Sequence, residues 1–216
     1  WRRGWASGYE DEYAQRVDSS GIVRWIPNGV PIFLEQYLYG HLEGYEIIGD
    51  GCGGACIVCA YNSGIMSLCH VFVCRVNSEG DKLWDVLLAY TNQNYNYFPQ
   101  ISRDGSGGVV TSWTDLGWDP YFYGIYAQRI DSGGSQLWSA RGVVVCDTIA
   151  ATSSVVMTSD GQSGAILAWC DYRNGTDYDV YAQKVDSAGV VGVAEVQEAG
   201  SHPSTALGTG KQEARL

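Results

Sequence analysis

Apolar and polar residues alternate with a period of two in several short stretches of this chain. In the clearest of them Tyr126, Gln128 and Ile130 fall on one side and Ala127, Arg129 and Asp131 on the other, the pattern of a β-strand. That stretch is one copy of a phrase that occurs four times: Tyr13-Ala-Gln-Arg-Val-Asp-Ser-Ser, Phe72-Val-Cys-Arg-Val-Asn-Ser-Glu, Tyr126-Ala-Gln-Arg-Ile-Asp-Ser-Gly and Tyr181-Ala-Gln-Lys-Val-Asp-Ser-Ala. Each copy runs to a glycine, Gly21, Gly80, Gly134 or Gly189, and successive glycines are 59, 54 and 55 residues apart. A period of this size predicts a repeat array whose units cannot bury their apolar faces alone.

Other elements keep register with the phrase. Asp50-Gly-Cys-Gly-Gly, Asp104-Gly-Ser-Gly-Gly and Asp160-Gly-Gln-Ser-Gly predict tight hairpin turns. The apolar runs Ala55 to Tyr61, Val109 to Trp113 and Ala165 to Trp169 follow them and read as strands buried on both faces. Trp113, Trp169 and, in the earlier unit, Cys59 stand at equivalent positions. A further strand is expected to carry Trp25, Trp84 and Trp138, four residues beyond the marker glycine, with Val193 in the last copy. One unit is thus four strands, A to D.

Trp1 precedes Tyr13 by the interval that separates Trp169 from Tyr181, so the chain opens at the end of a B strand. The blade spans are 1–35, 45–88, 98–145 and 153–197 within a single domain of 1–216. Aligning Pro203 with Pro99 lets the tail, 198–216, supply the strands missing from unit one and close the ring, which removes exposed sheet edges. The competing expectation is a tail on an excerpt of a longer array. A third is a tail that completes unit one of a neighbouring molecule.

Composition agrees with short aromatic strands and tight turns: 28 glycines, 8 tryptophans and 15 tyrosines. A net charge of −11 argues against nucleic-acid partners, and no 18-residue apolar span suggests membrane insertion. Five of the seven cysteines fall between Cys52 and Cys74. Cys56 and Cys59 would face opposite sides of a strand, which favours buried thiols or disulfides over a metal site.

The succession Asp-Gly-x-Gly-Gly, apolar strand to Trp, Tyr-Ala-Gln-Arg-Val-Asp, then Leu-Trp resembles the repeats of secreted bacterial β-propeller proteins over residues 1 to about 197. The resemblance implies an all-β propeller of four-stranded blades, about four repeats of ~54 residues, in a secreted or cell-envelope setting. It also implies that A lines a central channel, that D lies outermost, and that the D-to-A and B-to-C connections share one face. These connections differ among units, and an asymmetric site needs residues that break the repeat.

On that face Tyr95, Tyr97, Trp118, Tyr121 and Tyr123 would offer aromatic planes suited to sugars or a protein surface, with His41 as a further ligand or general base. The expected role is therefore non-catalytic recognition of a glycan or protein. The alternatives are a glycoside hydrolase-like carboxylate pair on the same face, drawn from residues such as Glu35, Asp115 and Asp119, and self-assembly through the tail. No cofactor is implied, although Asp171, Asp177 and Asp179 concentrate oxygen donors that suit Ca²⁺. Arg16, Arg75, Arg129 and Lys184, with Asp18, Asn77, Asp131 and Asp186 two residues on, read as a structural ladder of charge.

Overall fold

The computed structural model describes residues 2–4, 10–33, 40–63, 68–92, 95–116, 123–147, 155–192 and 214–215. Among them there is no helix, and the strands form four antiparallel sheets in chain order. The first holds β1 (Arg2–Gly4), β2 (Glu10–Ala14) and β3 (Val30–Phe33). The second holds β4 (Gly40–Gly49), β5 (Ala55–Ser63), β6 (Leu68–Val76) and β7 (Lys82–Asn92). The third holds β8 (Tyr95–Arg103), β9 (Val109–Leu116), β10 (Tyr123–Ile130) and β11 (Val143–Cys146). The fourth holds β12 (Val155–Ser159), β13 (Ala165–Asp171), β14 (Asp179–Val185) and β15 (Val191–Gly192), with β16 (Ala214–Arg215) also paired to β14.

Register confirms the repeat. Cys59 stands opposite Phe72, Trp113 opposite Tyr126 and Trp169 opposite Tyr181. Of the tail, Ala214–Arg215 pairs with Ala182 and Tyr181 in the fourth sheet, on the same side of β14 as β15 and not on β1; the rest of it lies outside the described residues.

Period-two strands whose faces are both apolar must be covered on both sides, and the chain does this by stacking one sheet on the next. Trp25, Val30 and Ile32 of the first sheet pack on Ala55, Ile57, Cys74 and Val76 of the second. The opposite face of the second sheet, with Cys56, Val58, Val71 and Val73, packs on Ile101, Val109, Trp113 and Ile130 of the third. Val110, Ile125, Ala127 and Val145 then meet Leu167, Trp169 and Val185 of the fourth. Three cores therefore alternate with four sheets.

The Asp-Gly turns are five-residue loops closed by the aspartate side chain, not two-residue hairpins: Gly49 pairs directly with Ala55. Oδ1 of Asp50 accepts the N–H groups of Cys52 and Gly54, and Asp104 and Asp160 repeat this with Ser106 and Gly108 and with Gln162 and Gly164. A side-chain acceptor placed two and four residues ahead satisfies backbone donors that the tight turn would otherwise orphan. The C-to-D turns use the same device from Asp18, Asn77, Asp131 and Asp186.

The charge ladder is present, but with other partners. Arg75 pairs with Asp50 at 3.0 Å, Arg129 with Asp104 at 2.9 Å and Lys184 with Asp160 at 3.0 Å. The residue two after each base, Asn77, Asp131 or Asp186, is occupied in capping its own turn, and the base reaches across to the A-to-B turn.

Each arginine also reaches into the following sheet. Arg16 and the Trp25 indole N–H both donate to the Ser78 carbonyl, at 3.1 and 2.9 Å. Arg75 and Trp84 donate to Ser132 at 3.3 and 3.0 Å, and Arg129 and Trp138 to Ser187 at 3.2 and 3.1 Å. The indoles lie against the marker glycines of the next unit, where an added Cβ would come within 3.0 Å of Trp25 at Gly80, 2.8 Å of Trp84 at Gly134 and 2.9 Å of Trp138 at Gly189. The repeated Arg, Trp, Ser and Gly are thus one joint, built three times.

Trp25 and Trp138 do not lie in D strands as expected. The Gln15 side-chain oxygen accepts the N–H groups of Arg16 and Trp25, while its amide donates to the Ile26 carbonyl. Gln128 does the same with Arg129, Trp138 and Ser139. The glutamine replaces ladder pairing with a side-chain clamp on the segment that carries the tryptophan. The second sheet has Cys74 at this position, and there β7 runs as a continuous strand, with Trp84 opposite Arg75.

Candidate functional site

The position that carries Trp113 and Trp169 faces the preceding sheet and fills one end of the joint, where each indole stacks on its tyrosine at 6.0 and 6.3 Å. Burial, with Asp115 nearby, pushes the Tyr126 hydroxyl pKa up, so this filled interior holds a neutral phenol. Two residues beyond each tryptophan is an aspartate, Asp115 or Asp171. The second sheet replaces all three members of the set, with Cys59 for Trp, Phe72 for Tyr and Tyr61 for Asp.

The loss of the indole leaves a groove of about 930 Å³ between the first and second sheets. Its apolar walls include Ile32 and Phe33 from β3 and Cys59, Tyr61, Phe72 and Leu87 from the second sheet. Phe33 and Phe72 meet across it with ring centroids 5.2 Å apart. Among the described residues its polar lining is acidic: Glu12, Glu79, Asp81 and Asp85 face it with Lys82 as the one cation, and Lys82 pairs with Asp85 at 2.7 Å. His70, whose ring lies 5.5 Å from Phe72, is buried, and burial lowers its pKa, so at neutral pH it adds no positive charge.

Mixed apolar walls and a few placed polar groups are the ordinary make-up of a ligand pocket. The sequence carried its signal in Cys59, the one marker that departs from tryptophan. What it did not show was that this position faces the preceding sheet, so that a small residue there opens an interface.

Of the residues expected to bind, His41 lies in β4 opposite Asn62, Tyr95 and Tyr97 in β8 opposite Leu116 and Thr114, and Tyr123 in β10 also opposite Leu116. These are strand positions, a correction to their expected place in loops. Backbone register brings Tyr95 and Tyr123 to one end of the third sheet, while His41 belongs to the second. Trp118 and Tyr121 lie outside the described residues.

Two of the three expected calcium ligands, Asp171 and Asp179, are held by other partners. Asp171 is buried and forms an ion pair with Arg173, whose backbone N–H it also accepts at 2.9 Å. Arg173 in turn lies 4.0 Å over the Tyr181 ring. Asp179 accepts the Asn174 amide at 2.7 Å, and Asn174 accepts the N–H of Asp177 at 3.0 Å. Among the described residues the three carboxylates are not gathered into a metal-binding group.

Cys56 and Cys74 are buried in different cores. Burial pushes their thiols up to about 11 and about 12 respectively. Cys56 and Cys59 do face opposite sides of β5, since one packs on the third sheet and the other lines the groove.

No protein-family model and no curated protein matches the chain. Among solved structures it is similar to a chain described as "Crystal structure of an ACO/RPE65 chimera", with a TM-score of 0.46 and 11% identity over 88% of this chain. The matched region is 45% of that chain's length.

Proposed function

We propose that the four sheets are successive blades of a propeller-type array and that the protein is a binding module for a protein ligand. The ligand segment lies in the groove between the first two sheets. The observation that carries this reading is that Cys59 stands where the third and fourth sheets have Trp113 and Trp169, beside an apolar groove bordered by four carboxylates and one ammonium among the described residues. An extended peptide that alternates Leu or Phe with Lys or Arg matches it on both counts: its apolar side chains displace water from Phe33, Phe72 and Leu87, and its cations meet the acidic lining. The flanking strands β3 and β7 are sheet edges, where an extended backbone can add.

The test titrates a Leu/Phe and Lys peptide into the protein by calorimetry. Cys59→Trp, which restores the residue of the other units, and Asp81→Lys combined with Asp85→Lys are each expected to weaken binding about tenfold or more. Binding that neither variant changes removes the groove as the site.

A second reading, recognition of a neutral glycan, rests on Tyr95 and Tyr123 sharing Leu116 as their register partner. It predicts glycan-array binding that is lost on joint Ala substitution of Tyr95, Tyr97 and Trp118 and is untouched by Cys59→Trp.

A further inference from the structure

We propose that the joint between the third and fourth sheets is an internal water-binding site, held by Ser102, Ser112, Thr114 and Trp169. Residues directly opposite each other in an antiparallel pair share a face of the sheet. Ser102 stands opposite Val110, Ser112 opposite Ala127 and Thr114 opposite Ile125, and these three partners pack on Leu167, Trp169 and Val185 of the fourth sheet. The three hydroxyls therefore face into this joint. Counted from the turn aspartates Asp104 and Asp50, their counterparts in the second sheet are Ile48, Val58 and Ala60, which pack on the third sheet. One joint is thus apolar at the same three places where the next carries hydroxyls.

Ser112 and Thr114 are 0% exposed, Trp169 2% and Ser102 9%. The Oγ atoms of Ser102 and Ser112, Oγ1 of Thr114 and Nε1 of Trp169 have no hydrogen-bond partner among the described residues. Thr111, on the other face of β9, shows what a satisfied hydroxyl looks like here, since it donates to the Gln100 carbonyl at 2.8 Å. The indoles of Trp25, Trp84 and Trp138 likewise donate to serine carbonyls. A buried hydroxyl or indole N–H left unbonded is costly, and buried polar atoms that lack a protein partner ordinarily bond to ordered water. Water suits this set, because it accepts from the indole and the hydroxyls and donates to the hydroxyl oxygens. Ser102 and Ser112 are also smaller than Ile48 and Val58, so the exchange that adds these polar atoms removes volume beside them.

Relaxation dispersion of the water oxygen nucleus tests this, because its amplitude reports molecules held long inside a protein and is blind to hydroxyl protons. The variant that combines Ser102→Ile, Ser112→Val and Thr114→Ala gives the third sheet the residues of the second. It is expected to lose the share of at least one water molecule relative to wild type. An amplitude equal in the two proteins overturns the proposal. Thr114→Val alone keeps the size and shape of the side chain, and it tests the site even where the triple variant does not fold. With water bound, its urea midpoint is expected to fall, since the water loses a partner. A dry joint predicts the opposite, because the variant then removes an unbonded buried oxygen, so a midpoint that rises or stays in place also overturns the proposal.

Discussion

The marker glycines differ in surroundings while sharing a backbone conformation, which separates two costs that usually come together. Gly134 has φ +92° and an indole 2.8 Å from where a Cβ would stand, so Gly134→Ala incurs both strain and overlap, about 3 kcal/mol or more. Gly21 has φ +79° and open space, so Gly21→Ala costs about 1 kcal/mol from strain alone. Urea unfolding of the two variants at low protein concentration measures the difference. Asp50 and Asp160 give a second test at this scale. Burial alone would raise their pKa values, but the N–H groups of Cys52 and Gly54 with Arg75, and of Gln162 and Gly164 with Lys184, outweigh it and hold both below the ordinary 3.8. Their folded values are depressed, so their stabilisation is complete above the unfolded value and is lost as pH falls from there through the folded value. The urea midpoint is expected to drop between about pH 5 and pH 2, and to drop less in Asp50→Asn, which has already lost the ion pair. Thiol labelling at neutral pH is expected to modify exposed Cys52 and to spare Cys56 and Cys74, whose buried thiols stay protonated, until the protein unfolds.

At the scale of elements, one glutamine decides whether the fourth segment of a unit is a clamped bulge or a regular strand. Gln128→Ala removes the shared acceptor of the Arg129 and Trp138 N–H groups in a buried site, and is expected to cost about 1 to 3 kcal/mol by thermal or urea unfolding. The corresponding site in the second sheet already lacks the amide, and Cys74→Ala there should show only the loss of a buried sulfur. The strands themselves were legible because alternation, double-faced apolar runs and recurring turns act locally. The glutamine clamp was not, since Gln15 and Gln128 have the same period-two placement as any strand residue and their function depends on a segment ten residues away. The ladder bases were recognised as structural, yet their acids were assigned two residues on, because sequence distance hides the A-to-B turn that folding brings alongside.

For the whole molecule, the order of sheets follows the order of repeats, and that much could be read from four copies of one phrase. The place of Ala214–Arg215 could not: alignment of the tail on Pro99 put them with the first sheet, whereas they pair with β14. The groove was half legible, through Cys59, and its facing direction required the packed sheets. The joints also impose a sequence in time. Trp25, Trp84 and Trp138 find their carbonyl partners 53, 48 and 49 residues further on. A chain growing from a ribosome therefore completes none of the first three units when that unit's own residues have emerged, since the seat for its tryptophan is still unsynthesised. Each of the first three sheets waits for its successor, and the protein matures by accretion in one direction, one repeat behind its own translation.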